Sequence, residues 1–239
     1  MKTILHTADS RGHASHGWLN SYHSFSFAEY HNPEKVHFGA LRVLNDDTVA
    51  AGMGFGKHPH DNMEIVSIPL YGDLQHSDST GRNEIIRQGD VQIMSAGSGI
   101  AHSEINANKD KEVKFLQVWV FPKQRNIEPR YEQRSFKHED RKDKLVTVVA
   151  PDDANAVWIN QDAWFSLADL SEGKEIGYEL HKEGNGVYVF VLEGQVTING
   201  QQLDKRDAMG ISETASIQIK ADAAAQLLLI DVPMKIQGA

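Results

Sequence analysis

The chain has 239 residues, 40% of them hydrophobic and 24% charged, and it contains no cysteine. That length allows one or two domains of ~150 residues, and the mixture excludes a disordered or collagen-like chain. The missing cysteines exclude disulfides, thiolate metal sites and a thiol nucleophile, and the formal net charge of −9 argues against a protein that grips nucleic acid through a basic face.

Residues 1–12 hold no apolar core long enough for a secretion signal, and no apolar run approaches the ~18 residues that cross a bilayer. A cytoplasmic protein that stays off membranes is therefore expected. Of the 12 histidines, most precede or include His102, so imidazole chemistry belongs to the first half. His13, His16, His23, His31 and His37 precede His58 at irregular spacings that share no face, and read as structural or surface residues. Trp18, Phe25 and Phe27 read as core. Next comes Gly52-Met53-Gly54-Phe55-Gly56, a pliant stretch able to run close to a ligand, and then His58-Pro59-His60. In a strand, residues i and i+2 project from one face, so both imidazoles can aim at one point. Pro59 cannot donate to a ladder, which puts the pair at a strand start or a sheet edge.

Short runs of period-two alternation follow at 64–70, 91–94, 113–121, 187–192, 195–198 and 216–219, separated by turn sequences such as Tyr71-Gly72-Asp73 and Asp78-Ser79-Thr80-Gly81. They predict the many short strands of a β-sandwich or barrel, with Asn199-Gly200 as a hairpin turn. Little in the chain has helical periodicity. His76 is expected to fix the turn that follows it. His102-Ser103-Glu104 repeats the one-residue spacing of the first pair. If the two strands are neighbours, three imidazole nitrogens and one carboxylate oxygen converge, a donor set for Fe(II), Mn(II), Ni(II), Cu(II) or Zn(II). A lone His-x-His is more often ordinary surface or core; two such pairs in one frame reverse that reading. Parity puts Glu64 on the same inward side, where it is expected to orient a ligand rather than to be one. The direction of Gln117 is left open, and Trp119 reads as core.

Residues 123–144 carry eight Lys/Arg and five Asp/Glu with few aliphatics, as a solvated connector between two β domains would; a docking patch of Arg130, Arg134, Lys137, Arg141 and Lys142 is the less economical alternative. The expected domains are 1–133 and 134–239. The halves share a faint order of strand, glycine turn, strand. His181-Lys182-Glu183 copies the spacing of the His102 pair but has no His-x-His partner, so a closed second barrel without metal is expected.

The frame Gly52, His58, His60, Glu64, Gly72 resembles the first motif of the cupin superfamily; Gly89, Ser95-Ala96-Gly97, His102 and Asn106 resemble the second, with Ser95 where proline is common. Residues 93–104, together with Arg11-Gly12-His13, His23-Ser24-Phe25-Ser26-Phe27, Phe55-Gly56-Lys57-His58-Pro59-His60, 76–81 and 116–120, resemble the pirin family, and Gly17-Trp18-Leu19 resembles its bacterial quercetin dioxygenases. The resemblance covers residues 1–135 and weakens beyond 145. It implies an all-β bicupin of two consecutive antiparallel jelly-roll barrels, with His58, His60, His102 and Glu104 holding one divalent transition metal in the first. Iron comes first, with Mn, Ni, Cu, Co and Zn as alternatives. It further implies quercetin 2,3-dioxygenase activity on a flavonol and dioxygen, giving a depside ester and carbon monoxide, with Glu104 as the general base. A non-catalytic, metal-sensing regulator with a protein partner is the main alternative, and a non-redox cupin isomerase or epimerase the next; direct contact with nucleic acid is not expected.

Overall fold

In a computed structural model that describes residues 1–236, alternating residues pair into two seven-stranded and two four-stranded sheets. The first large sheet orders its strands Arg130–Ser135, Asp90–Ser95, Glu64–Tyr71, Val113–Val120, Leu41–Val49, Leu19–His23 and Gly12–Ser15; the small sheet facing it orders Gly54–His60, Ile100–Asn106, Leu74–Asp78 and Asn83–Ile86. The second half repeats the plan. Ala208–Ser212, Asn185–Glu193, Ala225–Pro233 and Trp164–Leu170 follow one another in the second large sheet, and Glu175–Glu179, Ser216–Ala221, Val196–Ile198 and Gln201–Leu203 form the second small one. All six alternating runs are strands, and Asn199 and Gly200 take φ of 49° and 85° to close the expected hairpin. Each half is a jelly roll whose two sheets face each other with open edges instead of closing into one hydrogen-bonded barrel. One pairing, Val146–Ala150 with Val157–Trp158, is parallel.

Strand parity decides what each face does. On Glu64–Tyr71, Val66 and Ile68 turn away from the first jelly roll and join Tyr188, Phe190, Phe165, Leu228 and Ile230 of the second half in one buried cluster. The two large sheets thus pack back to back. The other faces look inward, and their chemistry differs. The second interior is mostly apolar, with Val187, Val189, Val191, Ile217, Ile219 and Leu229, and its buried Asp231 is bonded by Tyr178 and Asn185. The first holds Ser21, Asn45, Asp47, Ser67, Gln92 and Gln117, all buried. Burying polar groups is costly unless they are bonded, so a polar interior marks the half where polar groups have work to do.

The connector is more than a solvated linker. Arg130–Ser135 pairs with Asp90–Ser95 and completes the first large sheet. Its charges are used inside the molecule: Arg130 stacks over Trp158 at 4.4 Å and meets Glu132 at 2.9 Å, while Arg141, only 8% exposed, bonds Asp169 at 2.8 Å. That use engages Arg130 and Arg141, two of the five cations of the docking-patch alternative. The strand Lys2–His6 crosses over to pair with Ala208–Ser212, at the edge of the second large sheet.

Candidate metal centre

Gly54–His60 is the edge strand of its sheet, as Pro59 requires, and pairs with Ile100–Asn106 so that His58 lies opposite His102 and His60 opposite Ile100. The register shifts between His102 and Glu104, which brings Glu104 opposite Phe55. A bulge of this kind re-aims side chains. Gly54 lets the strands close: a Cβ there would stand 2.3 Å from the Glu104 carbonyl oxygen.

The three imidazoles form a triangle with ring centroids 4.8 Å (His58–His60), 4.5 Å (His58–His102) and 4.9 Å (His60–His102) apart. One nitrogen of each lies within 4.8 Å of the others, and a Glu104 oxygen, a His102 nitrogen and a His76 nitrogen meet the same limit. The two groups share His102, so Glu104 stands at the His102 edge of the triangle. His58 donates from Nδ1 to the Gly56 carbonyl at 2.7 Å, because a carbonyl can only accept, which turns Nε2 to the role of ligand atom. His60 Nε2 and both ring nitrogens of His102 are buried without a protein partner among the described residues. Burial, reinforced by His58, lowers the pKa of His60 to about 4; burial, then His58, His60 and His76, lower that of His102 to about 2. Both rings therefore stay neutral and offer lone pairs, as a cation needs. The orphaned nitrogens and the mixed nitrogen–oxygen donor set fit a divalent transition metal.

Glu104 is 2% exposed. Its Oε1 accepts from Ser67 Oγ at 2.7 Å and its Oε2 from Gln117 Nε2. Burial raises its pKa, against the pull of Ser67, His76, His58 and Gln117. Gln117 thus points inward, as does Trp119, which stands edge-on to His60 at 5.0 Å and 83° and takes Phe27 edge-on at 5.4 Å. Trp119 is a wall of the site and not plain core, with its Nε1 unpartnered.

Glu64 is a correction. It shares its face with Val66 and Ile68, not with His58 and His60, and its Oε2 accepts from Ser95 Oγ at 2.7 Å and from the Asn160 backbone N–H at 3.1 Å, in the interface between the halves. The inward parity assumed one continuous strand, but Asn62 turns at φ 47° and residues 64–71 belong to the other sheet. His76 does hold its turn, through Asp78, which in turn binds Thr80. Its place beside His102 and Glu104 was missed; it follows from Leu74–Asp78 pairing with Ile100–Asn106, His76 opposite Glu104, which one strand's spacing does not show. His23 is buried inside the first jelly roll, and His13 is exposed and bonds Asn20. In the second small sheet Tyr178 lies opposite Ile217, and His181 bonds the buried Asp231.

Residues 5–120 match the pirin family, and residues 147–232 match the family described as the quercetinase C-terminal cupin domain. The chain is 41% identical over 233 residues to the quercetin 2,3-dioxygenase of Escherichia coli K12, covering 96% of this chain and 98% of that protein. The chain belongs to the pirin family. A putative quercetin 2,3-dioxygenase of Pseudomonas aeruginosa is 38% identical, over 94% of this chain and 97% of that one. Among solved structures, the bacterial pirin YhhW of Escherichia coli in complex with nickel(II) superposes with a TM-score of 0.92 at 38% identity, covering 98% of this chain and all of that one. This pirin's fold and side-chain cluster support a site for a single divalent metal.

Proposed function

We propose that the chain is a metal-dependent dioxygenase that opens the heterocycle of a flavonol of the quercetin type, consuming one dioxygen and releasing one ring carbon as carbon monoxide. The observation that carries this reading is the triangle of three imidazoles with a buried carboxylate beside His102, where ring nitrogens of His60 and His102 have no partner among the described residues. The chain's 41% identity to a protein of that name supports it. His58, His60, His102 and Glu104 would hold the ion, with iron ahead of manganese, nickel, copper, cobalt and zinc. Such an ion supplies Lewis acidity toward a substrate hydroxyl oxygen and a meeting place for dioxygen. The protein's own residues do the rest. Glu104, a carboxylate whose pKa burial raises, accepts the proton of the flavonol 3-hydroxyl on an oxygen lone pair. Trp119 and Phe27 offer an aromatic wall against a planar ring and exclude water beside His60.

The test is metal-loaded protein with quercetin, in air and without oxygen. The expected result is loss of the flavonol chromophore in air only, with one carbon monoxide per quercetin. Equal decay without oxygen, or no decay with any of the six metals, contradicts the reading.

A further inference from the structure

The inward face of the first large sheet carries a polar row running straight across four pairings: His23 opposite Asn45, Asn45 opposite Gln117, Gln117 opposite Ser67, and Ser67 opposite Gln92. A row across the second large sheet reads Ser166, Leu229, Val189, Met209. The second row has one polar residue, Ser166, where the first has five, so sheet geometry does not demand a polar row there. The middle of the first row meets a specific partner. Glu104 comes down from the facing sheet, and Ser67 and Gln117 donate to one carboxylate oxygen each. Ser67 Oγ is also 3.2 Å from Gln117 Oε1, but its single hydrogen is committed to the shorter contact with Glu104. Among the described residues no lysine or arginine pairs with Glu104. A carboxylate that is 2% exposed is therefore held by two neutral donors, and each oxygen keeps a second lone pair.

We infer that Ser67 and Gln117 are positioning residues that fix the Glu104 carboxylate at the His102 edge of the imidazole cluster. The inference rests on the metal-centre reading above. The paired donors stop the carboxylate from rotating about its side chain and set which oxygen faces the cluster. They act only through Glu104. Hydrogen-bonding partners of metal ligands tune affinity in this way.

The experiment is calorimetric titration of chelator-stripped protein with nickel(II), for the wild type, Gln117→Leu, Ser67→Ala, Glu104→Ala and the pairs that combine each of the first two with the third. Thermal unfolding of the stripped proteins checks that each is folded, and Ser67→Thr, which keeps the hydroxyl, serves as the conservative variant. The expected result is one nickel per wild-type chain, a loss of roughly 10- to 100-fold in affinity for Gln117→Leu and Ser67→Ala, and near wild-type affinity for Ser67→Thr. In the Glu104→Ala background, Gln117→Leu and Ser67→Ala should each change affinity by less than about twofold, since coupled residues fail to add. Equal losses in both backgrounds show an effect through packing and overturn the inference, as do unchanged affinities in both single variants. A stripped wild type that takes up no nickel overturns the metal centre itself, and this inference with it.

Discussion

Two buried glutamates show what a side chain's surroundings decide. Glu104 faces imidazoles and two donors; Glu64, with no exposed surface, faces the other half of the molecule, and its Oε1 has no partner. Burial is the main cause that raises the Glu64 pKa from 4.5 to about 7, against Ser95, Asn160 and Arg130. An acid whose pKa is higher folded than unfolded binds more protons when folded, so stability falls as the pH rises between those values. Metal-stripped wild type is expected to lose roughly 3 kcal/mol relative to Glu64→Gln between about pH 4.5 and pH 7, read from urea unfolding at a series of pH values. A difference between the two proteins that does not change with pH contradicts the assignment. The His-x-His and His-x-Glu pairs were legible because i and i+2 share a face in any strand. The direction of Glu64 was not, because parity breaks where Asn62 turns the chain from one sheet to the other. His76 was half legible: its turn is local, but its neighbour Glu104 comes from another strand.

At the level of elements, the site depends on how closely two strands approach. Among the described residues Gly54–His60 pairs only with Ile100–Asn106, and at Gly54 an added methyl would press on the Glu104 carbonyl and the Ile105 Cα, 2.5 Å away. These are backbone atoms and cannot step aside. Gly54→Ala is expected to cost about 1–3 kcal/mol through overpacking and to weaken nickel binding by shifting His58 against His102. Unfolding and titration measured on one preparation check this, and unchanged nickel affinity would show that strand spacing does not set the site. The strands themselves were readable from alternation, and the Asn199-Gly200 hairpin from its two turn residues. The strand Arg130–Ser135 was not: an edge strand whose cations are paired with Glu132 looks, in sequence, like solvated linker.

For the molecule as a whole, the two jelly rolls are joined by a shared core and not by a loose tether. Phe165, Tyr188 and Phe190 of one large sheet lie in the same cluster as Leu44, Val66 and Val118 of the other, and the strand Lys2–His6 crosses between halves. The duplication was faintly visible in the sequence. The back-to-back packing was not, because alternation shows that a strand has two faces and does not say what covers each. Phe165→Ala, at a fully buried position, is expected to cost about 3–5 kcal/mol and to lower the unfolding temperature of the molecule as one transition; two transitions with only one displaced would show that the halves unfold independently. The same architecture leaves one interior mostly apolar and gives the other a polar lining with orphaned imidazole nitrogens, so one ion per chain is expected. Elemental analysis of the purified protein beside His102→Ala tests that assignment most directly: one transition-metal ion per wild-type chain and almost none in the variant is the predicted result, and equal metal content in the two, or a wild type that holds no metal after exposure to each candidate ion, would contradict it.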